Sequence, residues 1–148
     1  MKQHTPKNIF ITGPITPEFI SDSIRKHSTQ QHIGAHSIFL GQVRNDLIQG
    51  SPVEYIEYSC YEDMVLPLMH SIREEMFSTY ELTCMHVYHS LGKVSAGEIS
   101  LFVFTSSVHR AQAIAACTEL VERIKKELPI WGKEVTTEQV SQWKKNTE

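Results

Sequence analysis

Residues 99–104 read Ile-Ser-Leu-Phe-Val-Phe, and this run constrains the fold more than any other stretch of the chain. In an extended strand alternate side chains point to opposite faces. Ile99, Leu101 and Val103 therefore share one face, while Phe102 and Phe104 share the other. A strand that is apolar on both faces belongs in the middle of a sheet covered on both sides. The clearest helix follows at once, over about Arg110 to Leu128. Ala113, Cys117, Leu120, Val121 and Ile124 recur at helical spacing as one buried stripe, and Pro129 ends the run.

The remaining segments supply the neighbours that such a strand needs. Asn8 to Thr12 predicts a short strand closed by Gly13-Pro14. Thr16 followed by Pro17 is a hydroxyl cap and a proline at the first helical position, predicting a helix to about His27 with Phe19, Ile20 and Ile24 inward. Ala35 to Arg44 is the next strand, with Ala35, Ser37, Phe39, Gly41 and Val43 on one face and His36, Ile38, Leu40, Gln42 and Arg44 on the other. Asn45 to Pro52 reads as a turn or mobile loop, and Val53 to Cys60 as a strand rich in β-branched and aromatic residues. Asp63 to Ser78 predicts a second helix, and Pro67 moves its expected start to near Val65. Leu82 to His89 and Glu98 to Ser106 are two strands joined by a turn region holding Gly92 and Gly97. Ile130 to Val135 is a short strand, and a polar tail follows from about residue 137, apolar only at Val140 and Trp143. Adjacent strands without helices between them predict a mixed or antiparallel sheet with packed helices, class α+β, in one domain over residues 1–148.

Composition excludes several functions. A chain of 148 residues with 41% hydrophobic and 21% charged content can build a real core and is not disordered. Lys and Arg total 14 against 17 Asp and Glu, a net charge of −3, which argues against a bulk nucleic-acid binder. No apolar stretch approaches the roughly 20 residues of a membrane helix. Met1 to Asn8 is polar and does not read as a signal peptide. Cys60, Cys84 and Cys117 are widely spaced with no CxxC, which argues against a disulfide framework or a zinc site and for a reducing cytoplasm. The eight histidines are scattered, and His86 and His89, three apart on a strand, face opposite ways and make a poor metal pair. Neither a metal nor a cofactor is expected. Gly92-x4-Gly97 is followed by Glu98-Ile99, so it is a turn and not a phosphate-binding loop. Ser107 and His109 lie close together, but no GxSxG elbow surrounds the serine.

Three stretches carry charge at telling places. Gly41-Gln42-Val43-Arg44-Asn45 ends a strand with an arginine that is either a surface residue or a planar fork for an anion. Ser106-Ser107-Val108-His109-Arg110 sits where the central strand meets the main helix. The free N–H groups and positive dipole end there suit an anion, whereas an arginine is mildly unfavourable for helix stability alone. Lys125 to Glu134 reads KKELPIWGKE. Lys125 borders the apolar stripe, where it either serves the helix dipole or has a lowered pKa and positions an anion.

GQVRN, SSVHR and KKELPIWGKE in this order resemble the large, catalytic subunit of molybdopterin synthase, the MoaE family. Tyr61-x-x-Met64 and His89-x-Leu91-Gly92-x4-Gly97 are similar to further segments of that family, and the resemblance runs from about Ile9 to Trp143. It implies an α/β-hammerhead-like fold and a sulfurtransferase of molybdenum cofactor biosynthesis. The implied reaction converts cyclic pyranopterin monophosphate into molybdopterin by adding a dithiolene. The implied partners are a small ubiquitin-fold carrier subunit with a thiocarboxylated C-terminal Gly-Gly and a second copy of the chain, together a heterotetramer. It implies that Gln42, Val43 and Arg44 line the substrate pocket, that His109 and Arg110 bind the pterin phosphate end, and that Lys125 is the central catalytic lysine. Gly132, Lys133 and Glu134 follow as substrate-binding positions. The family has a lysine directly after this tryptophan, where this chain has Gly132. Lys133 is then expected to serve as the second catalytic lysine if the glycine lets the backbone turn.

One inference is independent of the resemblance. Arg110 and Lys125 are 15 residues apart on one helix, so about 22 Å apart along its axis. A small pterin cannot touch both, so a pocket that uses both must be composite across a homodimer, with His109 and Arg110 donated in trans. Two other readings stay open: a non-catalytic module that docks a ubiquitin-like carrier, and a small-ligand regulatory domain.

Overall fold

The structure is a computed structural model, and it describes residues 8–145. The polar start, apart from Asn8, and the last three residues of the tail lie outside the described residues.

In chain order the elements are β1 (Phe10–Thr12), α1 (Pro17–His27), β2 (Ala35–Gln42), β3 (Leu47–Ile48), β4 (Ser51–Cys60), α2 (Glu62–Thr79), β5 (Cys84–Ser95), β6 (Ile99–Ser107), α3 (Arg110–Glu127), β7 (Ile130–Thr136) and β8 (Ser141–Trp143). The sheet order is β2-β6-β5-β4-β7-β8, antiparallel throughout. β1 joins β5 in parallel and β3 pairs with β4. The class is α+β, as the sequence predicts. No helix among the described residues is long and apolar enough to cross a membrane.

β6 lies between β2 and β5, and Leu101, Phe102, Val103 and Phe104 are all fully buried. Leu101 and Val103 pack with Met85 and Val87 of β5 under α2 and α3, against Met69, Met76, Leu120 and Ile124. On the opposite face Phe102 and Phe104 meet Ile15 and the α1 residues Phe19 and Ile20. Burial of each such side chain is worth about 1.5–3 kcal/mol. Chemistry on this scaffold therefore has two separate layers to occupy, one under α1 and one under α2 and α3.

α1 starts as expected: Phe19 N donates to Thr16 Oγ1 at 3.1 Å. Ile24, expected inward, is 42% exposed, because this short helix anchors through Phe19 against Tyr88 and Phe102. α2 begins at Glu62, ahead of the predicted Val65, and carries Pro67 inside it. The proline sits on an exposed face, where solvent can serve the carbonyl it leaves without a donor. The predicted loop before β4 contains a tight hairpin, with Ile48 opposite Ser51 and positive φ at Gln49 and Gly50. Gly92 is not in a turn. It lies within β5 at φ +83°, where the strand passes from β6 to β4 as its antiparallel partner. The tail is not free either: β8 pairs with β7, and Lys144 N donates to the Gly132 carbonyl at 2.7 Å.

Candidate active site

The layer under α3 holds a cationic centre. Pro129 stops α3, and the chain returns along β7, so the end of the helix faces the start of that strand. Between them is a cavity of about 80 Å3 lined chiefly by Tyr58, His89, Lys125, Trp131, Gly132 and Lys144. A wider groove of about 460 Å3 runs beside it, bordered by Phe39, Leu40, Gln42, Arg44, Lys125 and Lys144. Lys125 and Lys144 belong to both spaces, so they stand at the junction of a narrow inner chamber and an open outer one.

Burial, and after it the charge of Lys144, hold Lys125 below the ordinary lysine pKa. His89 is 4% exposed and its Nδ1 donates to the Ser90 carbonyl at 2.8 Å. That bond fixes the proton on Nδ1 and leaves Nε2 an acceptor. Burial is the main reason that His89 is pushed down to about 4; the Ser90 bond opposes this and Lys125 adds to it. The imidazole is therefore neutral at pH 7. Tyr58 stands edge-on to His89 and donates its hydroxyl to Ser100 Oγ at 3.1 Å. Its burial raises the phenol pKa, so Tyr58 also enters neutral chemistry as a donor.

The structure separates the residues that the sequence singled out. Gln42, Arg44 and Lys125 meet along the groove, and Gly132 lines the chamber. Arg44 is exposed and forks onto Asp46, with Nη2 to Oδ2 at 3.0 Å and Nε to Oδ1 at 3.2 Å, so an incoming anion must compete with that carboxylate. Val43 does not line the groove. Its side chain is 2% exposed in a core with Ile48, Val53 and Ile56, and its backbone pairs with Gly97 and Glu98. A Cβ on Gly132 would come within 2.8 Å of Ile56 Cγ2 and 3.1 Å of Tyr58 Cε1, so the side chains across the strand hold this position to glycine. Lys133 alternates to the solvent side and lines neither space. Glu134 is buried and accepts from Gln142 Nε2 at 3.4 Å. His109 and Arg110 are exposed at the N-terminal end of α3, the full helix away from Lys125.

Sequence reasoning missed Lys144 and the wall made by Tyr58 and His89. His89 had a signal, its place in a family-like segment. Lys144 had none, because it reaches the chamber only through the β7–β8 hairpin.

Comparisons with known proteins agree with the fold and give its family. Residues 13–127 match the family model described as MoaE protein, a span that includes Lys125 but ends before Gly132 and Lys144. A molybdopterin synthase catalytic subunit of Pyrococcus abyssi is 35% identical over 105 residues, covering 71% of this chain and 70% of that relative. The protein of the same name from Arabidopsis thaliana is 38% identical over 115 residues, covering 78% of this chain and 57% of its own length. Among solved structures, molybdopterin synthase from Staphylococcus aureus superposes with a TM-score of 0.81 at 29% identity, covering 97% of this chain and all of that one. A complex of subunits 1 and 2 of the molybdopterin-converting factor from Helicobacter pylori shares the fold, with a TM-score of 0.79 at 18% identity over 94% of this chain and 90% of that one. Family match, sequence relatives and fold thus converge: the chain belongs to the MoaE family, the sulfur-transferring catalytic subunits of molybdopterin synthase.

Proposed function

We propose that Lys125 is the centre of a sulfur-transfer site completed by two partners, a thiocarboxylated carrier tail and a second copy of this chain. The observation that carries the reading is a half-buried lysine with a lowered pKa at the mouth of a narrow chamber. The chamber suits a tail without side chains, such as the C-terminal Gly-Gly of a small ubiquitin-fold carrier. The groove beside it suits cyclic pyranopterin monophosphate, with Gln42 and Arg44 on its border. Both ligands are anionic, and clustered cations in a partly dry site bind such charges strongly.

The steps follow from these groups. Lys125 orients the thiocarboxylate and stabilises charge as its sulfur attacks the pterin. A pterin C–S bond forms as a pterin C–O bond breaks, the displaced oxygen staying with the opened phosphate ester or departing as water, and carrier and pterin are joined through a thioester. Water then cleaves the acyl C–S bond, leaving the sulfur on the pterin and a carboxylate on the carrier. A second carrier repeats the sequence to complete the dithiolene. Lys144 supplies the second cation at the chamber that Gly132 does not, and this favours an enzyme over a docking module that has lost catalysis.

The second copy is supported by β2. It is the edge of the sheet, and Ile38, Phe39 and Leu40 on it are 38%, 36% and 41% exposed. An apolar edge strand is a template for pairing. α3 runs alongside β2, from Arg110 near the Ala35 end to Lys125 near the Gln42 end. Two β2 strands paired antiparallel about a twofold axis bring the His109 and Arg110 of one copy to the groove of the other. There the Arg110 guanidinium and the His109 imidazole hold the phosphate end of the pterin. The test is to mix the chain with a thiocarboxylated carrier and the cyclic pterin. Dithiolene product is expected, and carrier binding without product would overturn the reading.

A further inference from the structure

The layer under α1 holds a second cluster, away from the cationic chamber. His27 is the last residue of α1, and Cys84 and His86 are alternate residues at the start of β5, so they share one face of the sheet. One ring nitrogen of each histidine and the Cys84 sulfur all lie within 4.8 Å of one another. The two imidazole Nε2 atoms are 3.0 Å apart. Around a tetrahedral zinc ion, with Zn–N near 2.0–2.1 Å and Zn–S near 2.3 Å, neighbouring ligand atoms stand roughly 3.3–3.6 Å apart. The three donors thus need shifts of about an ångström to close on one ion.

The surroundings fit a ligand role. His27 Nδ1 donates to the Ser23 carbonyl at 2.7 Å, which turns the lone pair of Nε2 toward the cluster. A metal-binding histidine characteristically gives its other N–H to such an acceptor. The Gln30 amide meets Cys84 Sγ with Nε2 at 3.5 Å and Oε1 at 3.6 Å, so its N–H can serve a thiolate once the sulfur has lost the proton it donates to Oε1. His27 is 8% exposed and its ring packs against Phe104, so one wall is dry. The carbonyl end of α1 adds negative potential beside the donors. A hydrogen bond between the imidazoles and one from the thiol to Gln30 account for the separate pairs, and all three donor atoms still converge on one point.

We propose that His27, Cys84 and His86 form a transition-metal site of His2Cys type, suited to zinc, with a fourth position open to water or another donor. A nitrogen and thiolate donor set selects zinc over magnesium or calcium. The bound ion ties the end of α1 to β5. The expectation from cysteine spacing was no metal, because His27 is far upstream of the Cys84-x-His86 pair and only the fold joins them.

The test uses the intact chain, stripped with a chelator and then titrated with Zn2+ or Co2+ alone. One ion per chain is expected, with a thiolate-to-cobalt charge-transfer band and strong Zn2+ protection of Cys84 from alkylation, while Cys60 reacts as before. Binding should weaken as pH falls, because the ligands must lose their protons. Cys84→Ser should abolish the band, and Gln30→Ala should weaken binding about tenfold. Absence of stoichiometric binding, or Cys84 alkylation unchanged by Zn2+, overturns the proposal. So does a cobalt band that survives in Cys84→Ser. If that variant fails to fold, the alkylation result on the unaltered chain decides alone. No readout depends on sulfur transfer, so this proposal and the functional one fail separately.

Discussion

The two ends of α3 carry cations under opposite conditions. At the N-terminal end His109 and Arg110 are exposed, with no acidic residue in the first turn and no side-chain cap on the helix. At the C-terminal end Lys125 is half-buried, flanked by Lys144 and walled by a neutral histidine. A solvated charge serves to attract and orient. A desolvated one is retuned and can act on a reacting atom. On the proposed reading these are a phosphate-holding end and a reacting end, too far apart to serve one substrate in one chain, and a second copy would bring them together.

The largest expected effect comes from the buried end. Lys125→Ala should lower product formation on the order of 10²–10³-fold while leaving carrier binding intact. Assay of product beside a carrier pull-down checks both, and loss of carrier binding would recast Lys125 as a docking residue.

Next is the pH dependence of the chamber wall. His89 titrates near 4 in the folded chain against about 6.5 unfolded, so between these values the unfolded state binds the extra proton. Folding stability is then full above about pH 6.5 and falls by about 3 kcal/mol as pH drops toward 4. Denaturant melts across that range should show the loss, and His89→Gln should flatten it. An unchanged slope in the variant would remove His89 from the account.

The smallest effect falls on the partner cation. Lys144→Ala should raise the pKa of Lys125 by removing a like charge, and should reduce activity only a few-fold, within the ~1 kcal/mol reach of a partly exposed charge. The pH dependence of Lys125 acylation, read by mass spectrometry, measures the shift directly. No movement would mean that burial alone tunes Lys125.

What the sequence revealed about this molecule followed local rules. Thr16 and Pro17 start α1 where they are written, because a cap and its first turn are neighbours in the chain. β6 could be recognised as central because both its faces are apolar. Lys125 stood out because a helical stripe exposes its own border. The failures are non-local. Gly92 reads as a turn residue, yet its positive φ serves a strand that changes partners. Val43 alternates like a pocket residue, but the bulge between Gly41 and Gln42 precedes it and its side chain ends in the core. Lys144 follows three exposed residues of an edge hairpin, which carry no apolar pattern to announce a strand. His27 meets Cys84 and His86 only through the packing of α1 on the sheet.

The claim that one site draws on both ends of α3 from different copies is tested most directly by complementation. Lys125→Ala and Arg110→Ala chains should each be nearly inactive alone. Co-expressed and randomly paired, half of the dimers are mixed and each mixed dimer has one intact site of two, so about a quarter of the unaltered activity should return. Activity no greater than the sum of the two variants would contradict the composite site.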